Sequence, residues 1–264
     1  MKKDYSDTDD KTIPKSIHYC WFGKKPLSDD AKKCIESWKK FFPGYEIVQW
    51  NEGNFDICFN QYALEAYRRK KFAFFSDVAR LFIVERHGGI YFDIDVEVIS
   101  SFDDILKKGA FFGIENDGKL ATGLGFGAEK GNWLVKEMLD YYNDKHFFVD
   151  GKEDLTPCPI INSRVAMKNG FSLKNTIETV RGVTVYPKDY FNPKAGYNKQ
   201  VIVTDNTHSI HHYDGSWLPE QEVNRARLRN KLSCLFGDRI GCIIYRTLFL
   251  PYIVFSHITQ RVRG

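Results

Sequence analysis

No run of about 18 uninterrupted apolar residues, the length that a helix needs to cross a bilayer, occurs in the sequence. The first residues, MKKDYSDTDDK, begin with two lysines after the methionine, but no apolar segment follows them. A secretory signal requires such a segment, so none is expected. These two absences favour a cytoplasmic protein without a membrane-spanning helix.

Neither a CxxC pair nor a regular framework occurs among the six cysteines, so a zinc ribbon or a disulfide-stapled fold is not indicated. With 264 residues, 43% of them hydrophobic, the chain can bury a core without cross-links. We therefore expect reduced, mostly buried thiols in a reducing compartment.

A strong overall charge is also missing, since the net charge is only +4. The charge is unevenly placed: residues 221–264 hold eight lysines or arginines and two acidic residues, a net charge of +6. Proteins that bind nucleic acid more often spread basic surface over the folded body, so no nucleic-acid partner is expected. We expect a main domain over residues 1–220 and a basic, amphipathic helical segment over residues 221–264. Within that segment, residues 228–262 either pack on the domain or contact the inner face of an anionic membrane peripherally.

The order of the predicted elements is that of an α/β unit. A β-type run at 16–22 is followed by a helix that Ser28 can cap, and residues 45–50 are predicted to form the next strand. Two helices, at 61–71 and 72–87, come next. A strand, helix, strand order favours parallel pairing, with a ligand at the carboxyl ends of the strands. The predicted fold class is α/β, with a Rossmann-like, mostly parallel central sheet flanked by helices.

Two acidic residues, Asp93 and Asp95, stand where an apolar strand is predicted to end, just after a Gly-Gly break. Alternate side chains of a strand share one face, so Tyr91, Asp93, Asp95 and Glu97 would project together. A solvated strand end without a function is the plain alternative. Like charges this close repel unless a cation lies between them, and oxygen ligands suit Mg²⁺ or Mn²⁺. The pair is therefore a candidate metal and diphosphate site.

Asp77 and Arg80 are three residues apart on the predicted helix, so they form either a surface ion pair or a binding pair. As a binding pair, Asp77 would accept hydrogen bonds from sugar hydroxyls and Arg80 would hold sugar or phosphate oxygens. Tyr19 and Trp21 end the first strand, where aromatic rings either fill the core or stack on a base. Tyr91 has the same two alternatives, because its hydroxyl could reach a phosphate.

Late in the chain, residues 209–217 read SIHHYDGSW and concentrate polar groups after a strand predicted at 200–203. Adjacent histidines of an extended chain point in opposite directions, so at most one of His211 and His212 is expected to face a shared site. A neutral imidazole suits Mn²⁺ as well as Zn²⁺. A satisfied histidine pair beside a turn is the alternative.

Gly123, Gly125 and Gly127 alternate in the sequence GLGFG, but this spacing is not a dinucleotide-binding fingerprint. Close approach of a substrate to the backbone explains it as well as packing of the strand against an aromatic ring.

Four segments, in this order, resemble the DXD-motif sugar-transferase family: IPKSIHYCWFG at 13–23, SDVAR at 76–80, GGIYFDID at 88–95 and HHYDGSW at 211–217. That family includes fungal initiating mannosyltransferases, bacterial capsular-polysaccharide glycosyltransferases and the glucosylating domains of large clostridial toxins. The resemblance spans about four fifths of the chain, and the joint order of the segments is far more specific than any one of them.

The resemblance implies a GT-A-type single domain, a nucleotide-sugar donor and a divalent cation, Mn²⁺ or Mg²⁺. It implies that Trp21 stacks on the base and that Asp77 and Arg80 hold the donor sugar or ribose. Asp95 would bind the metal, whereas Asp93 would contact donor hydroxyls and a metal-bound water. The expected catalytic residues are Asp93, Asp95 and Arg80, and Tyr19 and Tyr91 complete the expected donor contacts.

In the terminal segment the resemblance implies that His212 is a metal ligand and that Ser216 and Trp217 meet the diphosphate. Related toxins use an acidic residue in this region, so His211 and Asp214 stay open as alternatives for the metal.

The expected activity is retaining transfer of a hexose, from UDP-galactose or UDP-glucose, to a hydroxyl of a growing or lipid-linked glycan in surface-polysaccharide synthesis. Front-face substitution is favoured because no nucleophile is placed for a double displacement. Two other functions compete. A haloacid-type phosphohydrolase also places Asp-x-Asp after an apolar strand, but Glu97 stands where Thr or Val is expected. A non-catalytic glycan-binding protein is the second.

Overall fold

The computed structural model describes residues 12–115, 117–195 and 200–213, together with most residues between 225 and 248. The strands of the main part are β1 Ser16–Cys20, β2 Glu46–Trp50, β3 Gly89–Tyr91, β4 Val96–Val98, β5 Ala110–Gly113, β6 Phe126–Ala128, β7 Phe148–Val149, β8 Lys152–Glu153, β9 Glu178–Val180, β10 Val183–Tyr186, β11 Lys194–Ala195, β12 Gln200–Val201 and β13 Ser209–His211. The helices are α1 Asp29–Phe41, α2 Gln61–Arg68, α3 Phe72–His87, α4 Asp103–Leu106, α5 Trp133–Asp140, α6 Cys158–Lys168 and α7 Lys188–Phe191.

A central sheet of seven strands, counted over the described residues, has the order β2-β1-β3-β6-β5-β10-β9. β1 pairs in parallel with β2 and β3, and β5 pairs in parallel with β10. β6 runs antiparallel to both β3 and β5, and β9 is an antiparallel edge. Five strands therefore run in one direction, and the predicted α/β class with a mostly parallel sheet flanked by helices is confirmed.

The first helix forms as its sequence predicts. Ser28 is extended, and its hydroxyl accepts the N–H of Ala31, while two aspartates lie in the first turn, where the helix dipole favours negative charge. Trp38, on the face of α1 toward the sheet, is fully buried, and its indole N–H donates to the carbonyl of Val96. Burial of this large ring fixes α1 against the chain that follows the carboxylate pair.

Two hydrophobic cores lie on the two faces of the sheet. One packs α2, α3, α5 and α6 around aromatic residues such as Phe75 and Phe112, and the other packs α1 and α7 around Phe92 and Phe102. α3 lies in the first core with Val78, Leu81 and Ile83 fully buried. The helix that carries Asp77 and Arg80 is therefore held rigidly.

The strand predicted to run through the carboxylate pair is interrupted. β3 ends at Tyr91, residues 92–95 form a turn in which the N–H of Val96 donates to the carbonyl of Asp93, and β4 then pairs with β13. The expectation of one continuous strand through Glu97 is wrong, because a turn does not keep the alternation of a pleated strand. Asp93 and Asp95 still lie together, whereas Glu97 contacts His212.

The described residues fall into two compact units, the first made of residues 12–193 and 203–213 and the second of 194–202 with those described between 225 and 248. The boundary predicted between 220 and 221 stays a prediction. Within the described part of the chain, no helix is long and apolar enough to span a bilayer. Four cysteines in that part, Cys20, Cys34, Cys58 and Cys158, are free thiols, and Cys58 alone among those four is exposed.

Candidate active site

Three elements of the first unit place the candidate residues. α3 presents Asp77 and Arg80, the turn after β3 carries Asp93 and Asp95, and β13 ends at His211. β13 pairs antiparallel with β4, so that His211 lies opposite Val96, next to the turn. This pairing joins residues that are more than a hundred positions apart in sequence.

Asp93, Asp95 and His211 form a cluster in which one ligand atom of each lies within 4.8 Å of the others. Nε2 of His211 is 3.0 Å from Oδ1 of Asp95 and 3.9 Å from Oδ2 of Asp93. Two carboxylates and an imidazole are a donor set that suits Mn²⁺, and Mg²⁺ less well, since Mg²⁺ prefers oxygen ligands. The residues present therefore fit the divalent cation that the resemblance implies.

His212, the histidine expected to bind the metal, points elsewhere. Its Nε2 is 2.9 Å from Oε2 of Glu97, and its backbone N–H donates to the carbonyl of Asp95. The reason is the turn at 92–95, which directs the Asp95 carboxylate toward His211 and leaves Glu97, on β4, with His212. At most one of the two histidines was expected to face the carboxylates, and the one beside them is His211.

Arg80 is buried and carries the positive charge behind the carboxylates. Its Nη2 lies 3.0 Å from Oδ1 of Asp77 and 3.1 Å from Oδ1 of Asp93, and its Nε donates to the carbonyl of Ser76. Burial acts to lower the pKa of Arg80, but the two carboxylates outweigh it and raise that pKa well above the usual value. Arg80 is therefore a permanent cation, and the interpretation of Asp77 and Arg80 as a surface ion pair is wrong.

Asp93 is the carboxylate with the most constrained surroundings. Its Oδ1 accepts a hydrogen bond from the hydroxyl of Tyr91 at 3.2 Å in addition to the contact with Arg80. Burial raises the pKa of Asp93 to about 6, although Arg80 and His211 both act to lower it. A carboxylate with raised pKa in a water-poor setting is typical of functional sites.

The alternating glycines have two different explanations. A Cβ on Gly125 or Gly127 would collide with the rings of Phe92 and Phe111, which confirms packing against aromatic residues for these two. A Cβ on Gly123 would instead lie 2.4 Å from Oδ2 of Asp93. The Asp93 carboxylate therefore packs directly against the backbone of Gly123, where a side chain would leave it no room.

Two neutral polar side chains, Thr122 and Asn162, form hydrogen bonds next to Gly123. Nη1 of Arg80 lies 3.5 Å from Oγ1 of Thr122, and Nδ2 of Asn162 donates to that oxygen at 3.2 Å. Thr122 and Asn162 are fully buried. The sequence marks Gly123 only through its spacing, and it gives no sign that Thr122 contacts Arg80.

The aromatic residues expected to contact the donor differ in exposure. Trp21 is half-buried, and its indole N–H donates to the carbonyl of Lys25 at 2.6 Å. Tyr19 and Tyr91 are buried, with 5% and 1% of their surface exposed, so these rings pack the core. Tyr19 donates to Gln49, and Tyr91 acts on the site through Asp93. Ser216, Trp217 and Asp214 lie outside the described residues.

Two further residues lie near the cluster: Tyr213, which belongs to the HHYDGSW segment, and Glu115, which no sequence motif marks. The ring of Tyr213 packs edge-on against the ring of His211, with centroids 4.0 Å apart. Its hydroxyl is 3.5 Å from Oε2 of Glu115, which follows β5. Burial and the neighbouring Asp117 raise the pKa of Glu115 to about 7, while Lys119 and His211 act to lower it.

Comparisons with known proteins show what the chain is similar to. Residues 28–112 match the family described as the glycosyltransferase sugar-binding region containing the DXD motif. An uncharacterized glycosyltransferase of Acanthamoeba polyphaga mimivirus is 33% identical over 106 residues, which cover 38% of this chain. The same match covers 42% of that relative, so the chain spans less than half of its length.

Two solved structures are similar to part of the chain. The PaToxG glycosyltransferase is 17% identical with a TM-score of 0.44, covering 60% of this chain and 69% of that one. A glycosyltransferase involved in the glycosylation of the major capsid of PBCV-1 is 13% identical with a TM-score of 0.42, covering 80% and 99%. Such low scores describe partial likeness, whereas the matched residues 28–112 include Asp77, Arg80, Asp93 and Asp95. Residues 28–112 are therefore similar to the DXD-containing sugar-binding region of glycosyltransferases.

Proposed function

We propose that the protein is a cation-dependent glycosyltransferase that moves a hexose from a nucleotide-sugar donor to a hydroxyl of a growing glycan. The observation that carries this proposal is the Asp93, Asp95 and His211 cluster, which lies beside the buried cation of Arg80 in the DXD region. UDP-glucose or UDP-galactose as the donor, and surface-polysaccharide synthesis as the setting, belong to the proposal.

The reaction is the same-face substitution that retains the anomeric configuration. The acceptor oxygen forms a bond to the anomeric carbon, the bond from that carbon to the β-phosphate oxygen breaks, and the hydroxyl proton passes to the departing diphosphate. When bound, the divalent cation would stabilise the charge that develops on the diphosphate. Asp95 and His211 are the residues that would hold it, with Asp93 on the side of the donor sugar.

Arg80 positions the Asp93 carboxylate in this mechanism. Because its guanidinium lies between Asp77 and Asp93, it keeps the Asp93 carboxylate oriented and ionised for hydrogen bonds from donor hydroxyls. Tyr91 fixes the same carboxylate from a second direction. Both contacts preorganise an acceptor of hydrogen bonds before the donor arrives, which lowers the reorganisation needed at the reacting centre.

Neither rival function fits these contacts as well. A phosphohydrolase of the haloacid type would need the first aspartate as a nucleophile, but Asp93 is engaged by Arg80 and Tyr91. A glycan-binding protein would need no donor site. The products distinguish both functions from the proposal. A phosphohydrolase would release inorganic phosphate, and a glycan-binding protein would release no nucleotide.

Nucleotide release from a panel of UDP- and GDP-sugars tests the proposal, with Mn²⁺ present and then removed by EDTA. We expect release from one donor that stops with EDTA and falls by about two orders of magnitude in Asp95→Asn. Asp103→Asn, a change in an exposed aspartate of α4, is the matched control and should leave release unchanged. Release that is independent of the cation, or equal in Asp95→Asn, contradicts the proposed site.

A peripheral contact with an anionic membrane through residues 228–262 is proposed for the second unit. The described residues on both sides of Gly237 are helical. Between 49% and 65% of the surface is exposed at each of four apolar residues, Leu235, Phe236, Ile240 and Ile243. Apolar side chains beside basic ones suit the surface of anionic lipid. Co-sedimentation of the full chain with phosphatidylglycerol vesicles should exceed that with phosphatidylcholine vesicles and fall in Leu235→Ser/Ile243→Ser. Equal sedimentation of both proteins contradicts it.

A further inference from the structure

Ligand imidazoles in metal sites are usually fixed by a contact outside the ligand set, and loss of such contacts weakens metal binding. His211 is the last residue of β13, so strand pairing by itself does not fix the orientation of its imidazole ring. The ring of Tyr213 lies against it, at a centroid distance of 4.0 Å and an interplanar angle of 67°. An edge-to-face contact of this kind restricts rotation of the imidazole.

Tyr213 reaches this place through an uncommon backbone conformation. Its φ is +56°, in the left-handed region that residues other than glycine seldom adopt. This conformation costs about 1 kcal/mol or more, and it persists only where the surrounding contacts require it. In this conformation the edge of one ring meets the face of the other, with the ring centroids of His211 and Tyr213 4.0 Å apart.

Two anchors from separate elements hold the phenol. Nδ2 of Asn192 donates to the hydroxyl oxygen of Tyr213 at 2.7 Å, and the hydroxyl donates to Oε2 of Glu115 at 3.5 Å. Asn192 is buried at the C-terminal end of α7. Glu115 follows β5 in a tight turn, where its N–H donates to the carbonyl of Lys119 and its carbonyl accepts the N–H of Gly118. The phenol is therefore fixed from two directions.

We propose that Tyr213, held by Asn192 and Glu115, is the positioning residue that fixes the His211 imidazole against the Asp95 carboxylate for binding of a divalent cation. The inference rests on the cation site of the proposed function. It adds that residues at the ends of two elements outside the DXD segment, α7 and β5, position a ligand of the site. Glu115 and Tyr213 act through His211 and need no contact with the sugar.

Binding of Mn²⁺ to the full-length protein, measured by isothermal titration calorimetry without any donor, tests the inference. Tyr213→Phe keeps the ring and removes both hydroxyl hydrogen bonds, and we expect the Kd for Mn²⁺ to rise about tenfold. Tyr67→Phe is the matched control, because Tyr67 also donates to a glutamate, Glu52, at 3.0 Å and makes no contact with the cluster in the described part of the chain. Its Kd should equal that of the wild type.

A double-mutant cycle separates positioning of His211 from a general loss of structure. In a His211→Ala background, Tyr213→Phe should change the Kd less than twofold, because the residue it positions is gone. An equal tenfold effect in both backgrounds, or an unchanged Kd in Tyr213→Phe alone, overturns the inference. A wild-type protein that binds no Mn²⁺ instead overturns the proposed cation site itself, so the two failures are distinguishable.

Discussion

Nη2 of Arg80 lies 3.1 Å from Oδ1 of Asp93, and both side chains are largely buried. The first carboxylate of the DXD motif is therefore neutralised from within the protein by a cation that comes from α3. This contact joins the helix segment SDVAR to the carboxylate segment in the folded chain. The Arg80 guanidinium therefore stabilises the folded structure and also belongs to the candidate site.

Replacement of Arg80 by methionine should destabilise the fold strongly. The change leaves two buried carboxylates, Asp77 and Asp93, without their counterion, which typically costs about 3 to 5 kcal/mol of unfolding free energy. Urea unfolding followed by circular dichroism measures it. Lys136→Met removes the exposed pair with Asp140 and should change little. Similar stabilities of the two variants would show that the Arg80 contacts are not maintained in solution.

The two histidines of the HHYDGSW segment should differ in their effect on cation binding. His211→Ala removes one of the three clustered donors, so the Kd for Mn²⁺ should rise at least tenfold. His212→Ala removes the side-chain contact with Glu97, which lies outside the three clustered donors, and should leave that Kd within about twofold. Titration calorimetry of both variants decides the matter. The reverse order of effects would restore His212 as the ligand.

Gly123→Ala should disturb the site without a backbone penalty. The added Cβ would stand 2.4 Å from Oδ2 of Asp93 and 3.2 Å from Nη1 of Arg80, so the carboxylate has to move. We expect nucleotide release to fall about tenfold or more, because displacements of about 1 Å are costly in active sites. Gly131→Ala is the control for added volume, because its Cβ would meet nothing within 4 Å; its φ of +72° adds backbone strain that should lower stability, but the activity of the folded protein should be retained.

His18 should make the folded state sensitive to mild acid. Burial lowers its pKa to about 4, although a hydrogen bond to the carbonyl of Gly88 acts to raise it. The unfolded chain takes up the proton near pH 6.5, so this contribution to stability is complete above that pH and is lost as the pH falls toward 4. The loss amounts to about 3 kcal/mol at most.

The unfolding free energy of the wild type and of His18→Gln, measured in urea between pH 7 and pH 4, checks this. The wild type should lose stability more steeply over that interval, since the variant has no proton to bind at this position. Parallel curves would show that His18 is protonated equally in the folded and the unfolded chain.

Local sequence determined most of the elements and the composition of the site. Ser28, the apolar spacing after it and the Pro43-Gly44 stop predict a helix that the structure has at Asp29–Phe41. The GLGFG alternation indicates a close approach to the backbone, by a substrate or by an aromatic ring, and Gly125 and Gly127 meet the rings of Phe92 and Phe111. These features are predictable because caps, periodicity and the absence of a Cβ act over a few residues.

The geometry of the site was decided by contacts between distant segments. Alternation along an extended strand puts Asp95 and Glu97 on one face, but the turn at 92–95 separates them, and the pairing of β13 with β4 brings His211 instead of His212 to the carboxylates. The same holds for Tyr213, Glu115 and Asn192, which meet through the ends of three different elements. Sequence determined which donors are available, since that depends on residue types. Only the tertiary structure determined which of them converge, since a one-residue change of register or a single turn reverses the direction of each side chain.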